Sequence, residues 1–351
     1  MKLKIILLFI LIFIYIDISI SQNNNTLTTT TTTIPIKNPY EPKDHIVNPH
    51  DFSYILNPGY SVCNTNNSSS IYILVYVHSG PTNYRRRIVI RETWSTRTLF
   101  SDLRLIFMIG KTSDENIMKS IQYENEIYQD IVQEDFIDAY KNLTYKGIMA
   151  LKWISIYCSK VKYILKVDDD IVVNTFTLIN HLKFLDKLNP VREQTILCLL
   201  WQAMTVMRDS KSKWYLSKED FPLDLFPPYC SGSAYILTGD MAAKMYNASL
   251  YVPFFWVDDY YITGAVASAA NVTYTQLGSL YTIPEQIAHS RFMSSKAFYT
   301  IMFGHFPGSM NNMREVWRRI LISQKYKYPK YVQYHSFSWD ETILTNEKDI
   351  A

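Results

Sequence analysis

Four short apolar runs rich in β-branched and aromatic residues punctuate the chain: IYILVYV over 71–77, LRLIFMI over 103–109, KYILKV over 162–167 and TILCLLW over 195–201. Near-continuous apolar runs of this length predict strands buried on both faces. Between the second and third runs, Leu143, Gly147, Ala150, Leu151, Ile154, Tyr157 and Cys158 recur at steps of three and four. That spacing predicts a helix with one core-facing side, and Asn142 is its candidate N-cap. Strands alternating with helices predict an α/β fold around a mostly parallel sheet, whose ligands bind outside the carboxyl ends of the strands.

The amino-terminal pattern differs. Lys2 and Lys4 precede an apolar run over 5–16, and Ser19 and Ser21 resemble the small residues of a cleavage site. The run suits a signal peptide but is short for a membrane span of about 20 residues, so a cleaved signal and an uncleaved anchor both stay open. Either places the rest of the chain in the secretory lumen. From 22 to about 60 the chain is rich in Asn, Thr and Pro, including an unbroken Thr run over 28–33, which predicts a stem with few apolar anchors.

Composition narrows the class. The 351 residues are 48% hydrophobic and 15% aromatic, enough for a sizeable core and against disorder throughout. With 35 Lys+Arg against 32 Asp+Glu the net charge is +3, and no basic block exceeds Arg85, Arg86 and Arg87, which argues against a nucleic-acid binder. Cys63, Cys158, Cys198 and Cys230 contain no C-x-x-C. They disfavour a zinc cage and permit two disulfides in any of three pairings, with buried free thiols as the alternative. Six Asn-x-Ser/Thr sequons, at Asn24, Asn66, Asn67, Asn142, Asn247 and Asn271, are glycan acceptors wherever they are exposed in a lumen.

The chemistry concentrates in two acidic groups. Asp168, Asp169 and Asp170 follow the KYILKV strand. Three adjacent carboxylates disfavour joint ionisation unless a cation offsets them; Mg²⁺ or Mn²⁺ on one or two carboxylates completes its shell with substrate phosphates, so a nucleoside diphosphate is the natural guest. Asp168-x-Asp170-x-Val172 also fits the nucleophile motif of aspartate-based phosphatases, although that motif usually ends the first strand of its fold. Asp258 and Asp259 lie among Phe254, Phe255, Trp256, Tyr260 and Tyr261. Apolar surroundings raise a carboxyl toward base duty and aromatic faces stack on sugars, whereas a paired-carboxylate glycosidase leaves the acidic triplet without a role.

Eight motifs in order, from 71 to 317, then resemble the beta-1,3-galactosyltransferase family of UDP-sugar-dependent Golgi enzymes. They are RRRIVIRETW at 85–94, FMIG at 107–110, the stretch from ENEIYQD to NLTYKG at 124–147, the Trp153 to Cys158 spacing, YILKVDDDIVVN at 163–174, KWYLS at 213–217, FPPYCSGSAYILTGD at 226–240 and VDDYYITG at 257–264. The resemblance implies a GT-A type nucleotide-sugar transferase fold, with a mostly parallel central sheet flanked by helices. It implies inverting transfer of galactose or N-acetylglucosamine from a UDP-sugar to the 3-hydroxyl of an acceptor glycan on glycoprotein or glycolipid, with a catalytically inactive lumenal carbohydrate-binding protein of the same fold as the alternative.

Residue by residue, the resemblance implies that Asp170 and His305 hold Mn²⁺ or Mg²⁺, and that Asp168 and Asp169 take the ribose side of the donor. Arg87 and Arg91 fall near the nucleotide pocket, Lys146 lines the donor site, and Asp259, with Asp258 beside it, supplies the base. It pairs Cys158 with Cys230. Asp258-Asp259-Tyr260 stands where the family most often has Glu-Asp-Val, so acceptor specificity does not transfer. The organisation expected is a signal anchor over 1–21, a stem over 22–60, a lumenal catalytic domain over 61–335 and a tail over 336–351, giving a single-pass type II Golgi membrane protein with no nucleic-acid partner.

Overall fold

The predicted strands become the centre of a mixed sheet because their residues are buried on both faces. The computed structural model describes residues 38, 40–63, 71–188, 193–294 and 301–324. The anchor, the tail, the early stem and the sequons at Asn24, Asn66 and Asn67 lie outside the described residues. The strands are β1 (Tyr54–Leu56), β2 (Ile73–His78), β3 (Leu103–Lys111), β4 (Ile131–Ile137), β5 (Tyr163–Asp168), β6 (Ile171–Val173), β7 (Thr195–Trp201), β8 (Tyr229–Thr238), β9 (Thr273–Gln276), β10 (Tyr281–Thr282) and β11 (Phe303–His305). The helices are α1 (Tyr84–Glu92), α2 (Glu115–Tyr128), α3 (Leu143–Tyr157), α4 (Thr175–Leu188), α5 (Met241–Ser249), α6 (Glu285–Met293) and α7 (Met310–Gln324). Between α5 and α6 a further helical segment begins at Asp258–Tyr260, widens into a π-helical stretch at Tyr261–Val266 and ends at Ala267–Ala269.

The main sheet runs β1-β4-β3-β2-β5-β8-β7-β9. β4, β3, β2 and β5 are mutually parallel, β8 is antiparallel to both β5 and β7, and β9 runs parallel to β7. This is the GT-A type arrangement implied above, a mostly parallel sheet flanked by helices. Alternation along β2 divides the core: Ile73, Val75 and Val77 pack on one side with Trp94 and Trp317, and Leu74 and Tyr76 on the other with Trp153 and Tyr260. A three-stranded sheet, β10-β11-β6, carries His305 opposite Ile171.

Three expectations need correction. The stem reading reaches too far. From 40 onward the segment is docked, with Lys43 N donating to Tyr251 O at 2.8 Å, Val47 N to Leu250 O at 2.9 Å, and β1 pairing with β4. Tyr40, Phe52 and Tyr54 supply the apolar anchors that the Pro and Asn content obscured. The disulfides are Cys63–Cys158 and Cys198–Cys230, not Cys158–Cys230. Cys158 just past α3 meets the docked segment, and Cys198 and Cys230 sit on the neighbouring strands β7 and β8. Asn142 makes no side-chain cap on α3; its Nδ2 donates back to Ile137 O at 2.8 Å.

Candidate active site

The sheet changes its direction of growth between β2 and β5. β3 and β4 extend from one edge of β2, and β5 is added on the other, so the crevice of a doubly wound sheet opens at the carboxyl ends of β2 and β5. His78 ends β2, Asp168 ends β5, and the two are register partners. The predicted acidic triplet therefore stands at the switch point.

Each carboxylate of the triplet has a different environment. Asp168 accepts from Lys166 Nζ at 2.6 Å, and the same ammonium reaches Gly232 O. Its side chain stays 39% exposed toward the crevice, where the enclosing protein pushes the carboxyl up to about 7 against the pull of Lys166. Asp169 is turned inward, its Oδ2 accepting from Ser79 Oγ at 2.7 Å and Asn83 Nδ2 at 2.8 Å, and its Oδ1 from Arg86 at 3.2 Å. Asp170 Oδ2 lies 3.2 Å from Arg86 Nη1 and 3.4 Å from His305 Nε2. Burial works to raise the Asp170 carboxyl, but His305 and then Arg86 outweigh it and hold the group below the ordinary range. The bond to Asp170 correspondingly raises His305. β11 makes this meeting possible, because its pairing with β6 and the bond from Phe306 N to Asp170 O fix the histidine beside the triplet.

The basic residues are placed less as expected. Arg87 is fully buried and grips Glu124 at 2.7 Å, Ser79 Oγ at 3.1 Å and Gly80 O at 2.6 Å. Arg91 holds Asp130 and Glu124, both at 2.7 Å, between the rings of Phe107 and Tyr128. Both guanidinium forks thus meet internal carboxylates, and Arg87 acts on the site through Ser79, which holds Asp169. Lys146, from α3, is buried against Asp138 at 2.9 Å and donates to Ser79 O at 2.6 Å, setting the loop after β2. Arg86, one position before the predicted pair, does reach the triplet. Sequence shows three consecutive arginines, but successive helical residues diverge by about 100°, and nothing in the sequence said which one faces inward. Lys166 left a clearer signal, a charge inside an apolar strand that must find partners.

Asp258 and Asp259 open the helical segment that packs across β8. Asp259 Oδ1 accepts from Tyr260 N at 2.8 Å, and a Cβ built on Gly232 would stand 2.8 Å from Asp259 Cβ, so glycine is required there. Burial, and then the charge of Asp258, push the Asp259 carboxyl up to about 7; burial also raises Asp258, with Lys166 opposing. Lys166 links the two acidic groups, since it bonds both Asp168 and the carbonyl of Gly232, the residue that packs against Asp259.

Of the predicted aromatic wall, Phe255, Tyr260 and Tyr261 are core. Trp256 of that wall forms an open aromatic rim with Tyr140 and Trp214, the last two 47% and 50% exposed, Trp214 Nε1 donating to Tyr140 Oη at 2.8 Å. The rings of this rim carry Lys213 and Lys141. Below the crevice His78 is buried with neither ring nitrogen bonded among the described residues; burial, Lys166 and Lys146 hold its pKa well below the ordinary value.

Among the described residues no three His, Cys, Asp or Glu side chains are grouped to hold a metal. Asp170 and His305 do converge, and a site of two protein ligands is one that diphosphate oxygens and water complete, so these residues fit a Mg²⁺- or Mn²⁺-type ion once Arg86 yields its place.

Comparison with known proteins agrees with the sequence motifs. A family model described as Galactosyltransferase matches residues 85–278, more than half of the chain. Beta-1,3-galactosyltransferase 1 of Mus musculus is 33% identical over 218 residues, 62% of this chain and 65% of that protein. Beta-1,3-galactosyltransferase 2 of Homo sapiens is 31% identical over 219 residues, 61% of this chain and 50% of that protein. The chain thus spans less than two thirds of the length of these relatives. Among solved structures, TarS of S. aureus aligns over 80% of this chain and 46% of its own with a TM-score of 0.35 and 14% identity. By the match across 85–278, the chain belongs to the galactosyltransferase family.

Proposed function

We propose that this protein is an inverting hexosyltransferase that moves galactose or N-acetylglucosamine from a UDP-sugar to the 3-hydroxyl of an acceptor glycan. One observation carries the reading: the diphosphate-suited triplet at the end of β5 and the Asp258–Asp259 pair are brought together through Lys166 and Gly232. Asp170 and His305 would hold Mn²⁺ or Mg²⁺, which neutralises charge on a departing diphosphate. Asp168, open to the crevice, is placed to accept from a donor hydroxyl, while Asp169 keeps the loop after β2 in shape through Ser79 and Asn83. Asp259 takes the acceptor proton as the hydroxyl attacks; a carboxylate raised toward neutrality is a stronger base than an ordinary one. Tyr140, Trp214 and Trp256 give the acceptor sugar an apolar face at the rim.

The apolar amino-terminal run serves as a signal anchor, placing a type II protein in the Golgi membrane with this domain in the lumen. Two disulfides support an oxidising compartment. The test is release of UDP from a panel of UDP-sugars with Mn²⁺, with and without acceptor glycans. Acceptor-dependent release of UDP from one or two donors is expected. Binding of glycans without any release would favour the inactive lectin-like alternative.

A further inference from the structure

Arg86 touches the triplet, and it does so on the oxygen expected to hold the divalent cation. Its Nη1 lies 3.2 Å from both Asp169 Oδ1 and Asp170 Oδ2, and its Nη2 donates to Pro307 O at 2.7 Å. The side chain keeps 25% of its exposure, so it borders solvent. Asp170 Oδ2 also faces His305 Nε2 at 3.4 Å, and Pro307 follows His305 by two residues. Arg86 therefore occupies one candidate metal ligand and the loop that carries the other.

One carboxylate oxygen cannot serve a guanidinium and a divalent ion together, because the two positive charges then repel across a few ångströms. Asp169 does not depend on Arg86, since Ser79 and Asn83 hold its other oxygen at 2.7 and 2.8 Å. A released guanidinium at this edge meets a diphosphate, whose paired oxygens suit its fork better than a shared carboxylate does. Resting on the UDP-sugar reading above, we propose that Arg86 is a displaceable internal cation: it caps Asp170 in the empty site and passes to the donor diphosphate when cation and nucleotide enter. The site thereby disfavours the metal alone and couples its binding to that of the nucleotide. Linkage requires the coupling to be reciprocal, so Mn²⁺ must raise UDP affinity by the factor by which UDP raises Mn²⁺ affinity.

The experiment titrates the whole folded protein with Mn²⁺ alone, with UDP alone under chelator, and with both, by calorimetry and by the spin-resonance signal of free Mn²⁺. The wild type should bind Mn²⁺ weakly, with affinity rising at least about tenfold when UDP is present. Arg86→Ala should bind Mn²⁺ alone about threefold to tenfold more tightly, the range expected for removing one partly exposed opposing charge, and should lose most of the gain from UDP. Arg86→Lys, which keeps the charge without the fork, should leave Mn²⁺ binding weak and lower the coupling; it serves if the alanine variant does not fold. Unchanged Mn²⁺ affinity and coupling in both variants, beside normal Mn²⁺-UDP binding by the wild type, would overturn this proposal and leave the donor reading intact. Equal UDP binding by the wild type with and without Mn²⁺, lost in Arg86→Ala, would show a permanent substitute for the metal and also overturn displacement. No binding of UDP by the wild type under any condition would overturn the donor reading itself.

Discussion

Asp259 differs from an ordinary aspartate because burial, and then the Asp258 charge, oppose its ionisation. The raised carboxyl has two consequences of opposite sign. As the proposed base it is inactive while protonated, so kcat/KM should climb as pH rises through about 7. As a folded-state group with a raised pKa, its contribution to stability is complete below the ordinary value of 3.8 and is lost as pH rises through about 7. Asp259→Asn should thus abolish transfer, by at least roughly 10²-fold, while melting at a higher temperature than the wild type at pH 8 and at the same temperature near pH 3.5. Asp258→Asn should cost less activity. A reversed order of activity loss with equal UDP binding would give the proton to Asp258. At this scale a charge that breaks an apolar pattern marks a residue in need of partners, as at Asp168–Asp170 and Asp258–Asp259; Lys166 carries the same signal inside the KYILKV strand but was missed. The sequence was not legible for Arg86, Arg87 and Arg91, where the direction of a side chain around a helix decides between substrate and scaffold.

Among elements, β8 shows how a strand can escape its own pattern. Its end near the site, Tyr229–Ala234, carries Ser231, Gly232 and Ser233 and lacks the apolar run that marks β2, β3, β5 and β7. β4 is similar, with Gln133 and Glu134 fully enclosed. In both cases the polar residues are there for partners elsewhere in the fold: Gly232 for Lys166 and Asp259, and Glu134 for His50 at 2.7 Å. Gly232→Ala should push Asp259 aside by its added Cβ, and is expected to lower kcat at least about tenfold with a small change in melting temperature. Unchanged turnover would mean that the helical segment yields without moving the base. The docked segment is tested by where the chain starts. Beginning at 57 removes His50 and β1, strands Glu134 without its buried partner, and should cost about 3 kcal/mol or more in urea unfolding. An unfolding midpoint equal to that of the full chain would return the segment to the status of a stem.

For the molecule as a whole, the legible part was the alternation of strands and helices and the carboxyl end of the KYILKV strand as a place for a ligand; the unread part was the strand order and what ties distant pieces together. The Cys63–Cys158 bridge closes 95 residues and joins the docked segment to the end of α3, at the amino-terminal side of β5 and so away from the crevice. The Cys198–Cys230 bridge closes 32 residues and lies immediately before Ser231 and Gly232. Loop entropy assigns roughly 4.7 kcal/mol to the longer bridge and roughly 3.7 to the shorter. Geometry assigns function the other way round, because Cys230 fixes the strand that supports both Lys166 and Asp259. Replacing Cys63 and Cys158 by Ser should therefore lower stability more while leaving kcat within about twofold at temperatures where the protein is folded. Replacing Cys198 and Cys230 should lower stability less and reduce kcat by about tenfold, through a shift of the base rather than through loss of UDP binding. Parallel unfolding curves and turnover on the two double variants decide the matter: if stability and turnover fall in the same order, the second bridge is a staple like the first and the crevice keeps its shape without it.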